Sequence, residues 1–145
     1  MADSCADSSA AGDIEIARSL MATHSVALVR NGSVLSKKRG RGVRPLLEAV
    51  SEVGDVLGAS LADRVVGVAV AKLSAYLGLR AVHGTLASEP AVQVLESAGV
   101  GISHDRLVPR ILNRDRSGPC PIESMAIGAL SPKELHERLR RLVMG

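Results

Sequence analysis

Four short stretches carry residue types and spacings that could do chemistry. Cys120-Pro121-Ile122-Glu123 is the sharpest of them. A thiol at a helix N-terminus is held partly as thiolate by the unpaired N–H groups there, which makes it a nucleophile. Such a nucleophile also needs a base and an orienting group, and His83 and His104 are the distant partners this sequence offers. Asp63-Arg64 stands before an apolar run containing Gly67. A helix opening there would turn N–H groups toward an anion or a ligand carbonyl, with glycine permitting close approach. Ser88-Glu89-Pro90 sets an acid at another helix start, suited to a ligand hydroxyl or amine. Asn113-Arg114 follows the apolar stretch 107–112. Asn matches the edge of an adenine-like base, and Arg grips carboxylate or phosphate.

Each stretch has a plainer reading. Asp63 and Ser88 are good N-caps, and Glu89 and Glu123 complement a helix dipole. Pro90 fits a first helical turn, Asn113 a solvated turn, and a free cysteine is most often a small buried hydrophobe. Metal chemistry is not signalled: His24, His83, His104 and His136 lie far apart, without HxxxH, CxxC or HxE spacing. The phosphate-binding and dinucleotide glycine fingerprints are missing too.

The elements that must position these residues follow from periodicity. Ile14, Ile16, Ala17, Leu20 and Met21 suggest a short helix from Asp13. Val26 to Val29 and Val34 to Lys37 read as strands joined by an Asn31-Gly32 type I′ turn. Pro45 opens a helix carrying Leu46, Leu47, Val50 and Val53, which Gly54 stops. Residues 58–61 suit a short buried strand, and Asp63 would then cap a helix from Arg64 to Leu77. Strands are expected at 80–84 and 100–104, with a helix from Pro90 to Ala98 between them. At the end of the chain, Ser131, Pro132 and Glu134 make a capping box, with Leu130 stapled onto Leu135. Leu135, Leu139 and Leu142 would form its buried stripe, and Glu134/Arg138 and Glu137/Arg141 would pair on the wet face. A hairpin followed by helix–strand alternation implies an α/β fold: a mixed sheet covered by helices on both faces.

Composition bounds the rest. The 145 residues suit one domain (13–145) behind a disordered Asp-, Ser- and Ala-rich lead-in (1–12), with a core of Val, Leu, Ile and Ala. One Tyr and no Phe or Trp leave no stacking platform for single-stranded nucleic acid. Apolar runs fall short of the roughly 20 residues that span a bilayer. The N-terminus lacks a signal-peptide pattern, and Cys5 and Cys120 make no disulfide framework, so a cytoplasmic protein is expected. Five of the 18 Lys and Arg (Lys37, Lys38, Arg39, Arg41, Arg44) crowd one loop. The remainder is near neutral against 15 Asp and Glu. Nucleic-acid binding is therefore expected to be weak or absent.

Five segments taken together resemble a known family. They are Gly42-Val43-Arg44-Pro45-Leu46-Leu47-Glu48, Ala62-Asp63-Arg64-Val65-Val66-Gly67, Ser88-Glu89-Pro90-Ala91, Leu107-Val108-Pro109 with Asn113-Arg114, and Cys120-Pro121-Ile122-Glu123. In order and spacing, from about Gly42 to Gly128, they are similar to an uncharacterised prokaryotic family, domain of unknown function 1893. That family is assigned to the cytidine deaminase-like fold. The resemblance implies a three-layer α/β/α domain. In the zinc deaminases of that fold, His-x-Glu opens one helix and Pro-Cys-x-x-Cys the next. Here Asp63-Arg64-Val65 stand at the first place, and Ala91 and Val94 at the two cysteines, so the resemblance implies no zinc site. The family's first such helix often bears a lysine, where this chain has Arg64 and Val68.

The reading that results is a small-molecule-binding domain, for a nucleotide- or nucleoside-like ligand, without a cofactor or a metal. Asp63, Arg64, Gly67, Ser88, Glu89, Asn113, Arg114 and Glu123 are its expected site. The alternatives are an enzyme using Cys120 as nucleophile, and an RNA- or protein-interaction module using the basic 37–44 loop. No membrane partner is expected, and a homo-oligomer is compatible with the sequence.

Overall fold

The computed structural model describes residues 2–112, 118, 120–128 and 131–143, with side chains from residue 11 onward. Helix α1 (Ala2–Ser19) runs back through the segment read as a lead-in and ends in a 3-10 turn, Leu20–Ala22. A hairpin follows, β1 (Val26–Arg30) and β2 (Ser33–Lys38), then α2 (Arg44–Val53). Two parallel units succeed it: β3 (Ser60–Val66), α3 (Val68–Tyr76), β4 (Ala81–Ser88), α4 (Glu89–Ser97) and β5 (Gly101–Val108). Helices α5 (Pro121–Ile127) and α6 (Pro132–Val143) end the described chain.

The five strands form one mixed sheet in the order β2-β1-β3-β4-β5. β1 is antiparallel to both neighbours, while β3, β4 and β5 run parallel. Strand alternation divides the core between the two faces. Val26 and Leu28 join the larger cluster with Leu46, Leu73, Leu95, Leu135 and Leu139. Ala27, Val29 and Ala62 meet Ala17 of α1 on the other face. The result is three layers: α1, the sheet, and the helices α2 to α4 with α6 packed against α3. Leu, Val and Ala fill that interior, consistent with the near absence of aromatic side chains.

The hairpin turn is as expected, with Asn31 at φ +52° and Gly32 at φ +80°. Its two N–H groups donate to Asp13 of α1, at 3.0 Å to Oδ2 and 2.8 Å to Oδ1. That buried carboxylate fastens α1 to the hairpin. Ser131 caps α6 as expected, its Oγ accepting from the Glu134 N–H at 3.2 Å. Leu130, the expected staple, lies outside the described residues.

Several expectations need correction. The expected Arg64–Leu77 helix starts at Val68, because residues 60–66 pair with β4 as far as Val66 opposite Ala87. Asp63 is therefore a mid-strand residue opposite Gly84 and Val26, and Gly67 is the N-cap. β4 and β5 run four residues further than expected, since their parallel ladder continues to Ser88 opposite Val108. Leu142 is 61% exposed, outside the buried stripe of Leu135 and Leu139. Among the described residues no ion pair joins Glu134 to Arg138 or Glu137 to Arg141. The Glu134 carboxylate accepts from Ser131 Oγ instead, at 3.1 Å.

Candidate functional site

α3 opens directly after a strand, so its first N–H groups need acceptors. Gly67 makes no side-chain cap. The acceptor comes from α5: Glu123 Oε2 takes the Val68 N–H at 2.8 Å and Oε1 the Ala69 N–H at 3.0 Å. Glu123 is only 6% exposed. An acidic side chain of the chain itself thus occupies this helix terminus, four residues beyond the opening expected at Asp63-Arg64. Gly67 does provide close approach, since a Cβ there would fall 2.5 Å from Glu123 Cδ.

This docking of α5 builds one wall of an open cleft of about 560 Å³ between α3 and α4. Val68, Pro90, Val94, Ala98 and Ile127 form its apolar surface, and Lys72, Gln93 and Ser97 its polar one. The cleft has the size of small-molecule pockets in general. Lys72 lies one turn into α3 and donates from Nζ to the Ala126 carbonyl at 2.6 Å. Ala91 is fully buried, and Val94 lines the cleft.

Asp63 is 5% exposed. Its Oδ1 accepts from the Val65 N–H at 3.2 Å, and Oδ2 is buried with no partner among the described residues. Burial pushes its carboxyl up to about 7, partly offset by the backbone N–H groups of Val65 and Arg64. Arg64 points away from the cleft helices, donating to His24 O at 3.1 Å and Met21 O at 3.3 Å. Ser88 caps α4 by accepting from Ala91 N–H at 3.3 Å, and Glu89 is exposed in the first turn beside Pro90. Cys120 is the N-cap of α5 without a side-chain cap bond, its N–H donating to Ile111 O at 3.2 Å. No hydrogen bond joins its thiol to His83 or His104 among the described residues. Asn113 and Arg114 lie outside those residues. Of the expected site, the structure brings Gly67 and Glu123 together, and the cleft opens beside Ser88 and Glu89 through Pro90.

The basic loop lies around the start of β1. Arg39 Nε donates to Thr23 O at 2.9 Å, onto the same turn that Arg64 holds from the other side. Desolvation, and after it the charges of Arg39, Lys37 and Arg64, hold His24 below its ordinary value. Lys38 pairs with Glu52, which lowers that carboxyl through their hydrogen bond.

One constellation was not found from the sequence. His83 Nδ1 lies 2.8 Å from Ser103 Oγ, and His83 Nε2 lies 3.4 Å from Asp105 Oδ2. Arg18 of α1 holds the other Asp105 oxygen at 2.9 Å. Ser103 and Asp105 two apart on a strand, with His83 on the neighbouring strand, were the available signal. The expected strand ended at His104 and so hid it. Among the described residues no three His, Cys, Asp or Glu side chains group as for a metal ion. Nor is any described helix long and apolar enough to cross a membrane.

A family profile described as TM1506, domain of unknown function (DUF1893), matches residues 15–143. No curated protein matches the chain. Among solved structures, a DUF1893 family protein (TM1506) from Thermotoga maritima is similar, with a TM-score of 0.77 at 21% identity, over 89% of this chain and 86% of that one. The dCMP deaminase of cyanophage S-TIM5, in complex with dCMP and dUMP, matches at TM-score 0.47 and 14% identity, over 62% of this chain and 91% of that one. A diaminohydroxyphosphoribosylaminopyrimidine deaminase/5-amino-6-(5-phosphoribosylamino)uracil reductase of Thermotoga maritima matches at 0.46 and 16%, over 55% and 28%.

Proposed function

The chain belongs to the DUF1893 family, a domain of unknown function, and from its own geometry we propose that it binds a small molecule in the cleft between α3 and α4. The observation that carries this reading is the convergence of Lys72, Gln93 and Ser97 on one apolar-walled cleft whose third wall is α5. Apolar walls with a few aimed polar groups are what small-molecule recognition requires. Val68, Pro90, Val94 and Ile127 suit the flat apolar body of a nucleoside-like ligand. Lys72 suits a phosphate or carboxylate on it, and Gln93 both donates and accepts. Glu89, exposed in the first turn of α4 beside Pro90, would accept from a ligand hydroxyl. Glu123 and Gly67 act here as builders: they hold α5, and with it Ile127, against α3.

A panel of nucleosides, nucleotides and sugar phosphates tests this by thermal shift. At least one compound should raise the melting temperature of the wild type, and Lys72→Met and Gln93→Ala should each remove that rise in a folded protein. A silent panel, or a shift that survives both substitutions, would overturn the proposal.

A further inference from the structure

On the opposite face of the sheet from the cleft, Ser103, His83 and Asp105 are arranged as a nucleophile, a base and an orienting carboxylate. His83 stands opposite Ala62 and Ser103 in the ladder, so all three share the face that α1 covers. The burial is graded. Ser103 is exposed, His83 is 2% exposed, and Asp105 lies between solvent and Arg18. A base shielded from water beside an accessible hydroxyl is the arrangement in which a serine can be activated.

The tautomer is self-consistent. For Nδ1 to accept from the Ser103 hydroxyl, the proton of a neutral imidazole must sit on Nε2, the nitrogen that faces Asp105 Oδ2 at 3.4 Å. Buried Nε2 has no hydrogen-bond partner in the resting geometry, so the carboxylate is its available acceptor. Catalytic contacts of this kind are commonly long before a substrate binds. Arg18 fixes Asp105 from α1 at 2.9 Å, which limits how far the carboxylate can swing away.

We propose that Ser103, with His83 as its base, attacks the acyl carbon of carboxylic esters at this surface. Ser103 Oγ forms a bond to the carbonyl carbon while its proton passes to His83 Nδ1. The carbon–alkoxy bond then breaks, and the leaving alcohol takes that proton. Water, deprotonated by the same nitrogen, attacks the acyl-serine; the acyl carbon–Oγ bond breaks, Ser103 Oγ takes the proton back from Nδ1, and the acid is released. Asp105 is a positioning residue: it orients the ring and offsets the imidazolium charge.

A fluorophosphonate probe tests the proposal, because serine attack on phosphorus expels fluoride and leaves a stable adduct that peptide mass spectrometry locates. The wild-type chain at neutral pH should carry one adduct, on Ser103, and Ser103→Ala should carry none. Asp105→Asn should label at least tenfold more slowly, and Asp105→Glu should recover part of that rate, which a merely structural contact would not do. p-Nitrophenyl acetate hydrolysis should fall in the same order. Absence of an adduct on Ser103, or equal labelling of wild type and Asp105→Asn, would overturn it.

Discussion

Glu123 sets its carboxylate in the space where Gly67 has no side chain, and from there it accepts the first two N–H groups of α3. Residues 56 positions apart thus make one joint. Glycine at 67 is required by proximity alone, since its φ of −100° is open to any residue. The joint fastens α5 to the sheet-facing helix and so sets the third wall of the cleft.

Gly67→Ala should therefore destabilise the protein by about 1–3 kcal/mol, the usual cost of overpacking a buried contact. Glu123→Ala should cost a similar amount, since it strips two buried N–H groups of their acceptor. The two losses should not add: with the carboxylate gone, the alanine methyl has nothing to strike. Urea titration of the four proteins of the cycle measures the coupling. Additive losses would show that the contact is not the reason for glycine.

Asp13 should matter to the hairpin more than its place near the start of the chain suggests. It is 3% exposed and accepts both N–H groups of the Asn31-Gly32 turn. Asp13→Ala removes the carboxylate that both N–H groups of this exposed turn donate to, at about 1–2 kcal/mol, since water can replace part of the loss. Amide hydrogen exchange should accelerate at Asn31 and Gly32 while β4 and β5 stay protected.

The hairpin, α2, α4 and α6 were legible because each carries local punctuation: Asn31-Gly32, Pro45 with Gly54, Ser88 with Pro90, Ser131 with Pro132. β3 was not, for a physical reason. Apart from Asp63-Arg64, Leu61 to Val70 is a run of small apolar residues, and a buried parallel strand and a buried helix share that pattern. Asp63 looked like a cap, yet pairing with β4 outweighs local capping and carries the strand to Val66. That slip of four residues moved the helix opening from Asp63-Arg64 to Gly67-Val68 and hid Lys72 as a cleft residue. Gly67 and Glu123 were both singled out, but nothing local could pair them, because the joint exists only once α5 folds back over α3.

The basic loop should give only salt-sensitive contact with polyanions. Of the five cations in residues 37–44, Lys38 has Glu52 as partner, and Arg44 donates to the Val143 carbonyl. Lys37, Arg39 and Arg41 are exposed without a carboxylate partner among the described residues, as is Arg64 nearby. Four phosphate contacts would make affinity for duplex DNA fall roughly a hundredfold from about 50 to 200 mM salt. Fluorescence anisotropy across that range checks it, and tight binding that survives the higher salt would refute it.

Asp63 should make the fold less stable as pH rises through the weakly acidic range. Its carboxyl is raised from 3.8 to about 7 by burial, with the Val65 and Arg64 N–H groups only partly opposing the rise. The folded chain therefore binds more protons than the unfolded one between those values, and stability falls wherever that holds. Below the unfolded value both states are protonated and the contribution is complete. Above about 7 both are ionised and it is gone. Each unit of displacement is worth about 1.4 kcal/mol. Asp63→Asn keeps a carbonyl for the Val65 N–H and removes the ionisation, so its stability should stay nearly flat over the same range. Urea midpoints taken from about pH 5 to pH 8 should show the two proteins diverging as pH rises, with the variant the more stable at the upper end. Parallel curves would mean that Asp63 ionises without cost, and that its unpartnered oxygen is reached by water.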